Sequence, residues 1–494
     1  MPRLAPLSTT RSATRVAFAS LALACTTLAA CATNPATGRR EFMLVSEAQE
    51  IAMGQSYDPQ IVASIGLYPD TALQRYVQDL GTRIAALSER PKLNWTFRVL
   101  DDPQVNAFAV PGGYIYITRG ILAHLDNEAQ LAAVIGHEIG HVTARHSASQ
   151  MSKQQLAQLG LVVGSVASET FAQYAELAGQ GVGALFLKYS RDDETEADAL
   201  GLRYMRRSNH DIREMPDVFT MLGAVTAAAT GGEGSKVPAW MMTHPLPEDR
   251  FARISRAIAA QPQDSTGAIV ERTKYTRLLN NVVYGEDPRQ GFFRGTRFMH
   301  PTMKFEITFP TGWQTKNEAA AVVAMSPTND GAIQLSLANA PTADSAMRAF
   351  TAQQGLQVGQ TQRANTNGLA TSTTPFAAAT EGDTLRGNVL FVEHQKMVFQ
   401  VLGYTPQAKW TTHQPVIDRT LKSFAVLTDA TALAVQPQRL SVITLDRASS
   451  IAELKVRRAS PLTVEQLALI NQVRTGEVLP VGRTVKWVVG SAKP

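Results

Sequence analysis

Apolar residues follow several distinct rhythms along the chain. Residues 16–30, "VAFASLALACTTLAA", are an almost unbroken apolar run. From 126 to 146, Leu131, Val134, Ile135 and Ile139 recur at helical spacing, which predicts a helix with Asp126 as its N-cap that runs to about His146. Ala197, Leu200, Gly201 and Tyr204 predict a second amphipathic helix within "YSRDDETEADALGLRYM". Tyr114, Ile115, Tyr116 and Ile117 follow a Pro-Gly-Gly turn, as a strand bordering a cleft would. Between the two helices, "LGLVVGSVASETFAQYAELAGQGVGALFL" predicts packed helices, with a mobile lid as the alternative. Past the polar stretch "AAQPQDSTGA" the rhythm becomes strand-like, with "MKFEITFPTGW", "GAIQLSLANA" and "GNVLFVEHQKMVFQVLGYT" closed by the helical "VIDRTLKSFAVL". The final sixty or so positions read strand, helix, helix, strand.

A chain of 494 residues with 44% hydrophobic content can bury several cores, so the pattern implies a multidomain protein. The apolar run at 16–30 is shorter than the ~20 residues that a membrane-spanning helix needs. It follows Arg3, Arg11 and Arg15 with no acid among them and ends in "LAAC", so residues 1–30 are expected to be a secretory signal. "LAAC" resembles a bacterial lipobox, which would leave Cys31 acylated at the mature N-terminus; Ala32 in the next position implies sorting to the outer membrane. The only other cysteine, Cys25, lies within the signal, so Cys31 has no disulfide partner in the mature chain. Removing three arginines takes the formal net charge from +5 to +2, and no basic face suggests nucleic acid as a partner.

The chemistry concentrates in "AAVIGHEIGHVTARH", residues 132–146. His137 and His141 stand one helical turn apart, so both imidazoles project from one face and can share a tetrahedral zinc ion. Glu138 is rotated by about 100° from His137, beside the position left for water, as a general base would be. Gly136 and Gly140 together cost about 2 kcal/mol of helix propensity, so something is expected to approach that backbone closely. A catalytic zinc site needs a third protein ligand. Glu194 and Asp198 share one face of the second helix, whereas Glu196 points about 200° away from Glu194. Glu194 is therefore the candidate third ligand, and Asp198 is placed to hold a ligand imidazole from outside the coordination shell. The alternative is a solvated acidic face, since Asp192, Asp193 and Glu196 crowd the same two turns.

"GHEIGHVTARH" with "SRDDETEADALG" resembles peptidase family M48, the gluzincins that include the HtpX-like and CAAX prenyl proteases. "SEAQEIAMG", "NAFAVPGGYIYITRGIL" and "THPLPEDR" extend the resemblance over residues 40 to about 260, in the family's order. The resemblance implies a mainly α-helical gluzincin metallopeptidase domain with a small sheet over residues 31–265. It implies one Zn2+ per chain on His137, His141 and Glu194, with Glu138 as catalytic base and Asp198 behind the ligands. It also implies extended substrate paired along Tyr114, Ile115 and Tyr116. His244 would enter the metal cleft, to stabilise an oxyanion or to take the fourth metal position at rest, the alternative being a helix cap before Pro245. Arg250 would anchor that segment to an acid near the site. The nearest organisation is that of the BepA-like periplasmic lipoproteins, although no tetratricopeptide repeat follows the peptidase region.

Residues 266–300 read as a linker. Residues 301–428 resemble PsbP/Mog1-like α/β domains, and no acid, base or metal cluster stands out in them. Residues 435–494 resemble a degenerate LysM α/β module, with Arg447-Ala448-Ser449 replacing the usual Gly-Asp-Thr turn, which puts sugar binding in question. Together the resemblances imply a zinc metalloendopeptidase facing the periplasm from the outer membrane. Its substrates would be unfolded or misassembled envelope proteins, with outer-membrane assembly machinery and peptidoglycan as candidate partners. The competing classes are a non-cleaving chaperone-like scaffold and a peptidoglycan-binding lipoprotein.

Overall fold

The computed structural model describes residues 31–158, 188–230, 238–244, 249–379 and 383–490. The signal reading at 1–30 and the small-residue segment 159–187 lie outside the described residues. The chain divides into two compact units. One draws on residues up to Gln60 with Pro69–Val99 and Gln104–Leu278, the other on Ile61–Tyr68, Leu100–Pro103 and Leu279 onward.

In the first unit a short hairpin of β1 (Cys31–Thr33) and β2 (Arg40–Phe42) precedes α1 (Glu47–Ile65) and α2 (Thr71–Ala85). Asp70 caps α2 by accepting from the amides of Ala72 and Leu73, and Leu73, Val77, Leu80 and Ile84 form its buried stripe. A three-stranded sheet of β3 (Thr96–Leu100), β4 (Ala107–Val110) and β5 (Tyr114–Thr118) is ordered β3-β5-β4. The helices α3 (Arg119–His124), α4 (Glu128–Thr143), α5 (His146–Gln158), α6 (Arg191–Arg207), α7 (Met215–Thr230), α8 (Trp240–Thr243), α9 (Arg250–Ala260) and α10 (Arg272–Leu278) complete it. Every residue of α4 is buried, so this helix is the axis of the unit and not a surface element.

Two boundaries of α4 differ from the sequence expectation. Its cap is Asn127, whose side chain accepts from Gln130 N at 2.9 Å, because Asp126 is engaged by Arg272 at 2.7 Å. The helix stops at Thr143 and does not run to His146: Arg145 adopts φ 62°, a left-handed conformation that ends one helix and lets α5 start in a new direction.

The second unit is rich in sheet. Strands Leu369–Ala379, Thr384–His394, Met397–Pro406, Ala332–Ala338, Ala321–Met325 and Gln314–Asn317 lie side by side, antiparallel. Alternate side chains of Thr384–His394 serve two cores: Val389 and Phe391 pack with helix Ala343–Thr351, while Leu390 and Val392 pack with helix Trp410–Lys422. The proposed linker 266–300 is largely structured. Arg272–Leu278 is helical with Tyr275 fully buried, and Phe292–Arg294 and Arg297–His300 form a sheet with Phe305–Thr308 and Ala425–Val426. At the C-terminal end, strand Arg439–Thr444, helices Ile451–Arg457 and Val464–Ile470, and strand Thr484–Val489 follow the predicted order, the two strands pairing antiparallel. Among the described residues no helix is long and apolar enough to cross a membrane.

Candidate metal centre

Two helices lie backbone to backbone to make the site. A β-carbon on Gly136 would stand 3.2 Å from Gly201 O, one on Gly140 would stand 3.1 Å from Ala197 O, and one on Gly201 would stand 3.0 Å from His137 N. The helix-weakening glycines of α4 are therefore the condition for α6 to approach it. Helix α6 starts with a capping box in which Ser190 and Asp193 satisfy each other's backbone amides, at 3.2 and 2.9 Å. One residue later Glu194 points at α4, fully buried.

His137 Nε2 and His141 Nε2 are 3.0 Å apart, and Glu194 oxygens lie 3.6 Å and 3.5 Å from them. Two donors on a tetrahedral ion at 2.0–2.1 Å stand about 3.3 Å apart, so the three residues fit a zinc-sized cation. His244 joins the group: its Nδ1 is 2.9 Å from Glu194 Oε1 and 3.4 Å from His137 Nε2, and all four residues offer donor atoms within 4.8 Å of one another. Glu138 lies on the other side of His244, its Oε1 3.5 Å from Nε2. Glu138 Oε2 and His244 Nε2 are buried without a hydrogen-bond partner, which suits atoms that face a cation or a reacting group.

Burial opposes charge on Glu194, yet the His244 and His141 rings hold its carboxyl well below the ordinary carboxylate range. Burial pushes Glu138 up and His141 far down. Asp198, also buried, is held low by Arg250, whose Nε and Nη2 reach its two oxygens at 2.9 and 2.5 Å. The same guanidinium places Nη1 2.8 Å from Glu194 Oε2, so one buried cation ties the two carboxylates of α6 together. Asp198 Oδ1 is also 3.0 Å from His137 Nδ1, the nitrogen turned away from the other donors. Beside His137 and Glu138 opens a cavity of about 50 Å³, walled by Ile121, Val134, Met215, Phe219, Leu222 and Trp240.

Residues 71–258 match the profile of peptidase family M48. The chain carries a peptidase family M48 domain. It is 34% identical over 263 residues to the beta-barrel assembly-enhancing protease of Yersinia pestis, covering 51% of this chain and 52% of that protein. It is 33% identical over 228 residues to the Escherichia coli K12 protein of the same name, covering 44% and 46%. To the mitochondrial metalloendopeptidase OMA1 of Schizosaccharomyces pombe it is 33% identical over 226 residues, covering 44% and 64%. The chain thus spans about half the length of the first of these relatives. Among solved structures it is similar to cyanobacterial PsbP from Synechocystis, with 14% identity and a TM-score of 0.23 over 27% of this chain and 94% of that one. A likeness of that size bears on neither fold nor function.

The M48 domain brings His137, His141, Glu194, Asp198, Glu138 and His244 into one buried cluster. It does not place Tyr114, Ile115 and Tyr116 where an added strand could pair with them. They lie in β5, the middle strand of the sheet, whose backbone is already shared with β3 and β4; the strands at the sheet's edges are β3 and β4. Arg250 meets both Asp198 and Glu194, which the spacing alone could not choose between. The sequence reading passed over two neighbours. Tyr189 stacks on His141 with ring centroids 3.8 Å apart, and His146 Nδ1 sits 2.9 Å from His141 Nδ1. The third histidine of "HEIGHVTARH" was the one available signal for the latter. Gly140→Val is expected to force α4 and α6 apart and weaken zinc retention at least tenfold, with the fold intact by circular dichroism; retention equal to wild type in a chelator competition would refute the close-approach argument.

Proposed function

We propose that this chain is a zinc-dependent metalloendopeptidase of the bacterial cell envelope that cleaves unfolded or misassembled envelope proteins. The observation that carries the reading is the convergence of His137, His141 and Glu194 on one cation-sized point, with the buried carboxylate of Glu138 alongside. Zinc held there would supply a Lewis acid for the scissile carbonyl and lower the pKa of water to about 7. The rest is the work of the chain's own residues. Glu138, its proton affinity raised by burial, takes the proton from the attacking water and delivers it to the leaving amine. Asp198 holds the proton of His137 Nδ1 and so fixes which nitrogen faces the donors. Arg250 neutralises the carboxylates of α6.

The cavity walled by Phe219, Leu222 and Trp240 favours an apolar side chain beside the cleaved bond, as exposed core segments of an unfolded chain would supply. His244 stands within the donor group, which favours a resting arrangement in which it occupies the fourth position and must swing aside for substrate. The names of the relatives, beta-barrel assembly-enhancing protease and OMA1 metalloendopeptidase, agree with an endopeptidase and, for the former, with outer-membrane assembly machinery as a partner. Outer-membrane anchoring through Cys31 and a glycan-binding role for 435–494 belong to the same proposal. The first predicts acyl-chain labelling that C31S abolishes. The second predicts capture on purified sacculi that deletion of 435–494 abolishes.

The reading is tested by incubating the purified chain with a reduced, unfolded protein. Cleavage should stop with a chelator and return with stoichiometric Zn2+. Cleavage indifferent to chelation, or none in the zinc-loaded chain while it still suppresses aggregation, would overturn it, the latter in favour of a scaffold that holds partners without cutting.

A further inference from the structure

We propose that His146 is a positioning residue for the His141 imidazole, and that the left-handed backbone at Arg145 is what aims it there. The inference rests on the reading of His137, His141 and Glu194 as metal ligands. On an unbroken helix, a residue five positions after His141 would be turned by about 140° from it, with its ring on another face. The chain avoids this by stopping α4 at Thr143. Ala144 N still closes the last turn on Gly140 O at 2.9 Å, and Arg145 then reverses the backbone at φ 62°, a conformation that residues with a β-carbon avoid. Arg145 is held in it from outside the helix: Nη2 donates to Val45 O at 2.7 Å, and Nε lies 3.2 Å from Glu50 Oε2. Strain of this kind persists where the surroundings over-determine it, and it clusters at functional sites.

The reversal returns His146 beneath His141. Their Nδ1 atoms are 2.9 Å apart, the rings meet edge to face at 73°, and both residues are buried. His141 Nε2 faces His137 and Glu194, so its Nδ1–H is the group left to donate, and His146 Nδ1 accepts. The far nitrogen of His146 is 3.8 Å from Asp193 Oδ1, beyond hydrogen-bond reach, so His146 acts as a ring in its own right and not as a relay to a carboxylate. Tyr189 closes one face of the His141 ring, and its hydroxyl is fastened at 3.0 Å to Ser147 Oγ, on the residue after His146. The two imidazoles of the zinc motif therefore have unlike supports. His137 leans on the Asp198 carboxylate, which makes it a stronger donor, whereas His141 is oriented by a neutral ring that adds no negative charge behind the metal.

The test compares H146N, whose amide oxygen can stand where Nδ1 stands, with H146L, which keeps the bulk and removes the acceptor. Each variant and the wild type are titrated with Zn2+ against a chromophoric chelator, and the Co2+-loaded proteins are compared by visible absorption. H146L should lose about 10–100-fold in zinc affinity, the usual range for support behind a ligand, and shift the cobalt bands. H146N should stay within about threefold of wild type with wild-type bands, a rescue that a merely space-filling role would not give. Wild-type affinity in H146L, or equal losses in both variants, overturns the proposal. If H146L does not fold, H146N alone decides: affinity near wild type supports it, and a tenfold loss overturns it. Failure of the wild type itself to bind zinc would instead sink the metal-site reading beneath it.

Discussion

Glu138→Gln should retain a full equivalent of zinc and lower kcat on an unfolded-protein substrate by about 10²–10⁴-fold, with KM little changed. The amide has nearly the shape of the carboxylate, so the packing beside His244 survives, but it can neither accept the proton of the attacking water nor return it to the amine. Glu138 is buried and its carboxyl is pushed up by that burial. A base must be ionised to work, so a raised pKa moves the loss of activity on acidification to a higher pH than an exposed glutamate would give. In wild type, kcat/KM should therefore fall as pH drops through a value above the ordinary carboxylate range. In the variant that limb should vanish from the residual rate. Undiminished cleavage by Glu138→Gln would remove the residue from the mechanism, and equal rescue of cells by both forms would favour a non-cleaving role.

Arg250→Ala should have the largest effect on stability. Its guanidinium is the cationic partner shared by Asp198 and Glu194, both fully buried, and it also packs over the Phe219 ring at 4.7 Å. Removing one member of a buried ion pair leaves uncompensated charge and costs about 3–5 kcal/mol. The loss should be greater in the metal-free protein than with zinc bound, because a divalent cation beside Glu194 supplies counter-charge that the metal-free site lacks. Arg250→Lys should recover only part of it, since one ammonium cannot span both oxygens of Asp198 and reach Glu194 as the planar fork does. Urea unfolding with and without a chelator reads both differences. Equal losses in the two states would mean that Arg250 is a packing residue with no electrical link to the donors.

What could be read in the sequence was whatever a single helix determines by itself. His137, Glu138 and His141 share one turn, so their relative directions follow from 3.6 residues per turn. The same rule separated Glu194 and Asp198, which are buried, from Glu196, which instead meets Asn34 and Arg39 of the N-terminal hairpin at 3.0 and 2.5 Å. The glycines of α4 announced a close neighbour without naming Gly201 and Ala197, because contact between helices depends on where loops return the chain. Two of the errors share one cause. Which strand of the small sheet is central is decided by pairing with Thr96–Leu100, ten or more residues upstream, and no local alternation reveals it. The burial of Tyr275, whose hydroxyl donates to Leu122 O at 2.8 Å across 153 positions, turned an apparent linker into helix α10. His146 is hidden for the opposite reason: helical periodicity carried through Arg145 puts it on another face, and the left-handed residue there voids that periodicity.

The central claim is that two imidazoles and one carboxylate, from helices separated by some fifty positions, hold a single zinc ion. X-ray absorption at the zinc edge of the purified chain tests it most directly. The expected spectrum shows nitrogen and oxygen neighbours at about 2.0–2.2 Å, with the outer-shell pattern of at least two imidazoles and no sulfur, and E194A should lose the carboxylate contribution together with most of the bound metal. A zinc ion coordinated through a thiolate, or full zinc occupancy with an unaltered first shell in E194A, would contradict it.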